Sequence, residues 1–148
     1  MKKLSVILTV LFLTVGMTAY SQGNPSVVIK QAFNQKFPGA KDMDWEVDEQ
    51  GWEVSFKLKD KEMSAWFDLV GNWQKSETEL RKRDIPDVVK NTLHNKFPGF
   101  KVEKVGWVVT PDFHAYEIEL KKGKKEKEIT IDKKGKVLKV ENGDEDED

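Results

Sequence analysis

The chain has 148 residues, a formal net charge of −1, 34% charged residues and no cysteine. Without cysteine there is no disulfide staple and no thiol chemistry, so the fold must be held by packing, for which five Trp and eight Phe are available. The charge is unevenly spread: residues 90–140 are basic and residues 141–148 carry only acidic charges.

At the N-terminus, Lys2 and Lys3 precede a mostly apolar run from Leu4 to Ala19 that is too short and too interrupted by Thr for a comfortable membrane span. Ala19-Tyr20-Ser21 has small residues at the spacing a signal peptidase reads. A signal peptide over residues 1–21 is therefore expected, with cleavage after Ser21 and a periplasmic or secreted product. No cysteine follows for lipid attachment and no second long apolar run occurs, so the mature chain is expected to carry no membrane span.

The mature part says one thing twice. Lys36-Phe-Pro-Gly39 returns as Lys96-Phe-Pro-Gly99, sixty residues on. Upstream of the first copy, Val28, Ile29, Ala32, Phe33 and Phe37 fall at helical spacing, and upstream of the second so do Ile85, Val88, Val89, Leu93 and Phe97. Pro25 and Pro86 suit a first helical turn, with Asn24 and Asp84 as nearby cap candidates. Proline disfavours helix at the preceding Phe and glycine permits the turn that follows, so KFPG reads as a stop from helix into strand.

Downstream the period changes to two. Met43, Trp45 and Val47 alternate with acidic residues, then Trp52, Val54, Phe56 and Leu58 alternate with polar ones, as in half-buried antiparallel strands. Asp48 to Gly51, Asp68 to Gly71 and Asp132 to Gly135 share an Asp-x-x-Gly turn chemistry, and a further hairpin is expected at Lys122-Gly123. Trp52 to Phe56 aligns with Tyr116 to Leu120, and Phe67 to Gly71 with Ile131 to Gly135, at an offset of sixty-four after a four-residue insertion near Thr110 to Phe113.

These patterns predict an α+β fold made of two tandem repeats, residues 24–80 and 84–141, each a helix and about four antiparallel strands. The short joint from Arg81 to Asp84 and the small size of each unit predict a shared core and a shared sheet with both helices on one face. The tail, residues 142–148, is expected to be acidic and disordered.

Ile85-Pro86, Val88-Val89 to Gly99, Tyr116 to Leu120 and Ile131-Asp132 to Gly135 resemble the PepSY-like periplasmic proteins, which are similar in fold to the tandem β-lactamase inhibitory proteins. The resemblance covers roughly residues 24 to 141. It implies a small exported non-enzymatic module, with inhibitory or protein-binding roles in some relatives and no catalytic residue to carry over.

The residues point the same way. His94 and His114 are not spaced as a metal pair within one element, and Asp42-x-Asp44-x-Glu46-x-Asp48 has Val47 where a calcium loop needs glycine, so those acids read as a solvated strand face. No nucleophile elbow, phosphate loop or zinc helix is present, and neither a cofactor nor a nucleic-acid partner is expected.

Met63, Ala65, Phe67 and Leu69 are assigned the inward face of their strand, which leaves Trp66 outside beside Ser64 and Asp68. Trp66 is the candidate partner-binding residue, joined by Trp73 unless a one-residue bulge buries either. Two functions fit: a binding module, an enzyme inhibitor among its forms, whose helix-free sheet face engages an exported protein; or a structural, envelope-associated protein that uses its basic second half and acidic tail. The lysines at 121, 122, 124, 125 and 127 read first as a solubilising edge.

Overall fold

The computed structural model describes residues 21–143; the expected signal peptide, apart from its last residue, and the acidic residues 144–148 lie outside them. A two-residue strand β1 (Ser21–Gln22) precedes helix α1 (Val27–Lys36) and strands β2 (Lys41–Val47), β3 (Trp52–Leu58), β4 (Lys61–Phe67) and β5 (Trp73–Glu79). A short 3-10 turn at Lys82–Asp84 leads to α2 (Asp87–Lys96), β6 (Lys101–Val109), β7 (His114–Lys122), β8 (Lys125–Ile131) and β9 (Val137–Asn142). All strands form one antiparallel sheet in which spatial order follows chain order, so the sheet is continuous across the joint between β5 and β6.

Each KFPG ends its helix as expected. Phe37 and Phe97 are the C-caps, and their N–H groups donate to Phe33 O at 2.8 Å and Leu93 O at 2.9 Å. Gly39 and Gly99 then take φ of 85° and 81°, the left-handed region open to glycine at little cost. The helix starts differ from expectation. Ser26, not Asn24, caps α1 by accepting from the Ile29 N–H at 3.4 Å, and Pro86 opens α2 without a side-chain cap, while Asp84 pairs with Arg81.

The Asp-x-x-Gly turns are built alike. Asp68 Oδ1 accepts from the N–H groups of Val70 and Asn72, and Asp132 Oδ1 from those of Lys134 and Lys136. Gly71 and Gly135 follow in left-handed conformations. Asp48 Oδ1 accepts in the same manner from Gln50 and Gly51. The β7–β8 hairpin turns at Gly123 and Lys124.

Four residues expected in the core are exposed instead. Leu69 belongs to the turn after β4 and is 59% exposed. Met43 is 47% exposed on the helix side, where it lines a pocket with Phe33 and Asn34 of α1, beside the β2–β3 register shift between Lys41 and Asp44 at which Asp42 takes a φ of 54°. Val28 and Val88 are exposed on the outer edges of their helices.

The single shared core is corrected as well. Most of the buried apolar residues form two clusters: Ile29, Phe33 and Phe37 with Val54, Phe56, Ala65 and Phe67, and separately Ile85, Val89 and Leu93 with Val105, Ile118, Leu120, Ile129 and Ile131. Each ten-residue helix is too short to reach beyond the strands that follow it, so what is shared is the backbone ladder.

Candidate functional site

Strand alternation sets the site. Ala65 and Phe67 are buried under α1, so Trp66 between them faces the other side, where it pairs across the sheet with Glu53 on β3 and Lys75 on β5. Its indole N–H donates to the Glu53 carboxylate, and Lys75 Nζ lies 4.1 Å from its ring centroid.

Trp73 does not join it. The β4–β5 register shifts between Trp66 and Phe67, so Trp73 pairs with Phe67 and packs against the α1 cluster, with Lys36 Nζ 3.5 Å from its ring centroid. Its Nε1 is buried without a hydrogen-bond partner among the described residues. The bulge places the two tryptophans on opposite faces.

Trp66 lines a groove of about 980 Å³ that runs over both halves of the sheet. Glu53, Ser55 and Ser64 belong to its first part, Glu117, Glu119 and Glu128 to its second, and the inserted loop Thr110 to Phe113 forms one wall. That loop is held by its own bonds: Thr110 N–H donates to Phe113 O at 2.8 Å, and Phe113 N–H donates to Thr110 Oγ1 at 3.1 Å.

The second part of the groove holds buried carboxyl groups that the sequence reading did not single out. Glu117 and Glu128 are 7% and 8% exposed although they point away from the α2 core. Burial, with Glu77 and Glu128 adding like charge against Lys75 and Lys139, pushes Glu117 up to about 8. Burial, reinforced by Glu141 and Glu119, pushes Glu128 up to about 7. Glu53 and Glu119 are also raised, chiefly by burial. Gly106, opposite Glu117, leaves room for Glu77, whose carboxylate lies where a side chain at 106 would begin. The signal for this cluster was the run of glutamates at outward positions of Tyr116 to Leu120 and Lys125 to Ile129.

Elsewhere, His114 stacks near Trp107 with centroids 5.5 Å apart, and His94 sits exposed in the last turn of α2. No group of three or more His, Asp or Glu among the described residues is arranged to hold a metal ion. The basic hairpin is partly occupied by its own chain: Lys121 pairs with Glu126, and Lys122 donates to Pro98 O at 3.2 Å. No helix among the described residues is long and apolar enough to cross a membrane.

A family model described as "Putative beta-lactamase-inhibitor-like, PepSY-like" matches residues 50–139, and the chain belongs to this family. Solved structures share the fold. A BLIP-like protein from Bacteroides fragilis is 23% identical with a TM-score of 0.75, the match covering 88% of this chain and 95% of that one. A candidate periplasmic protein from Bacteroides eggerthii is 22% identical with a TM-score of 0.74, covering 81% and 90%. A DUF2874 family protein from Bacteroides uniformis is 20% identical with a TM-score of 0.75, covering 80% and 90%. No curated protein sequence matches the chain.

Proposed function

We propose that this protein is an exported, non-enzymatic binding module that engages a protein partner through the groove on its open sheet face, with Trp66 as anchor. The observation that carries the reading is Trp66 itself: a large aromatic side chain, half-buried on the side away from the α1 core, set within a polar rim. Inhibition of an enzyme is one form such binding takes, and the BLIP-like description of the Bacteroides fragilis protein is in keeping with it.

In this reading the chain is two tandem units, residues 24–80 and 84–141, with both helices on one side of the sheet. The register supports it. Ser76 pairs with Ala65 on one side and Val109 on the other, which carries the core-side face of the first unit into the strand that holds Val105. Register shifts also recur at Lys41/Asp44 and Val102/Lys104, and at Trp66/Phe67 and Thr130/Ile131. A periplasmic or secreted location after loss of residues 1–21 completes the reading, and mass spectrometry of the mature N-terminus tests it.

The partner is tested by affinity capture from a periplasmic extract on the immobilised mature chain. A captured protein should be lost with Trp66→Ala and kept when residues 144–148 are deleted, while Trp66→Ala unfolds at nearly the same temperature as the parent. Retention by Trp66→Ala would remove the anchor, and loss on tail deletion alone would favour an electrostatic, envelope-associated role.

A further inference from the structure

The open face bears more acid than it can neutralise. Among the residues that line its groove, Lys75 and Lys104 are the cations, with Lys139 beside them on β9; against them stand Glu53, Glu77, Glu117, Glu119 and Glu128, with Glu46, Glu79 and Glu141 at the margins. Two of these glutamates are more than nine-tenths buried, and Glu128 Oε1 lies buried in the groove with no hydrogen-bond partner among the described residues. A buried acceptor left unpaired is costly, and a donor brought by a ligand removes that cost.

The groove already displays how a cation sits there. Lys75 Nζ stands 4.1 Å from the Trp66 ring centroid, and its charge acts on Glu53, Glu117 and Glu128 at once. One tethered ammonium lies in the field of three carboxyl groups, and its three donors cannot satisfy all of their acceptors. Gly106 is the enabling residue, because any side chain there would displace Glu77 from the floor of the groove.

We propose that this groove binds a basic segment of a protein partner, seating a lysine or arginine side chain between Trp66 and the carboxyl groups of Glu77, Glu117 and Glu128. The inference rests on the open-face reading and adds the chemistry of the occupant. Charge complementarity selects it: the aromatic face and the carboxylates both favour a cation, and a guanidinium fork supplies the donors that Glu128 lacks. Because Glu117 and Glu128 hold protons near neutrality in the empty groove, an arriving cation displaces those protons, and binding strengthens as pH rises.

Titration of the full mature chain with fluorescent octa-arginine and octa-lysine at low salt, followed by anisotropy, tests this, with octa-glutamate as control. Both basic peptides should bind, and affinity should rise roughly tenfold between about pH 6 and about pH 8.5. The Glu117→Gln/Glu128→Gln variant, checked for folding by circular dichroism, should bind roughly tenfold more weakly at the higher pH and lose the pH dependence. Lys75→Ala, which removes the tethered competitor, should tighten binding. Deletion of residues 144–148 should leave these differences in place.

Equal binding by the double glutamine variant would overturn the proposal, as would binding that disappears with the tail. Binding of calcium chloride that excludes the peptides and requires Glu117 and Glu128 would also overturn it, since the occupant would then be the ion. Failure of the underlying reading looks different. A captured protein that needs Trp66 but ignores the double glutamine variant leaves the open-face site standing and removes the basic occupant; one indifferent to Trp66→Ala removes the site.

Discussion

The half of the molecule that follows α1 and the half that follows α2 use the same order of elements and fill it with different chemistry. Under α1 the core is aromatic: Phe33 meets Phe37, Trp45, Phe56 and Phe67 with ring centroids 4.9 to 6.3 Å apart. Under α2 the core is aliphatic, with Val89, Leu93, Ile118, Leu120, Ile129 and Ile131. The open face differs in the opposite sense. At the offset of sixty-four, Trp66 corresponds to Thr130 and Ser64 to Glu128, so one half presents an aromatic ring with hydroxyls and the other a cluster of buried acids. The lesson is that inward positions need only volume and apolarity and tolerate exchange of aromatic for aliphatic, whereas outward positions are released from that demand and take on separate roles.

The largest effect should separate the two cores. Phe33→Ala removes the hub of the aromatic cluster and should cost about 3 to 5 kcal/mol in urea denaturation, against about 2 to 3 kcal/mol for Leu93→Ala. Likewise Phe37→Ala should cost more than Phe97→Ala, because Phe37 is 7% exposed and Phe97 only half-buried. Equal losses in the two halves would erase the distinction.

Next come the two tryptophans of β4 and β5. Trp73→Ala opens a hole beside the α1 cluster and should cost about 2 to 3 kcal/mol, whereas Trp66→Ala should cost about 1 kcal/mol or less, read from the same denaturation curves. A reversed order would mean that the bulge between Trp66 and Phe67 is misplaced and the groove has lost its anchor.

The pH dependence of stability separates Glu117 from its counterpart Glu53. Glu117 is held near 8 in the folded chain against an ordinary value of 4.5, so the folded state binds the extra proton between those limits. Its contribution to stability is complete below about pH 4.5 and is lost as pH rises through about 8. Glu117→Gln should therefore flatten the fall of melting temperature over that window and raise it by a few degrees at the alkaline end, about 1 kcal/mol or more in effect. Glu53→Gln should do less, since Glu53 is only half-buried and its carboxylate already receives the Trp66 N–H.

Much of this fold was legible because its signals are local. KFPG encodes a helix stop within four residues, and an Asp-x-x-Gly turn binds its own backbone within five, so both survive without knowledge of the rest of the chain. Alternation placed Trp66 on the correct face for the same reason. What escaped depended on neighbours. A bulge adds one residue to one strand and reverses the assignment beyond it, which is how Trp73 left its expected face. The raised pKa values of Glu117 and Glu128 depend on burial in the assembled sheet and on charges delivered by β5 and β9, which no window along the chain brings together. The division of the core into two clusters follows from helix length against sheet width, a property of the assembled molecule.

The central claim is that the open sheet face is the binding surface, and amide chemical-shift mapping of the labelled mature chain with its captured partner tests it most directly. Perturbations should concentrate on Trp66, Lys75, Glu77, Glu117 and Glu128 and leave the exposed sides of α1 and α2 unchanged. Perturbations confined to the helices, or to the lysine hairpin at 121–127, with the groove silent, would contradict it.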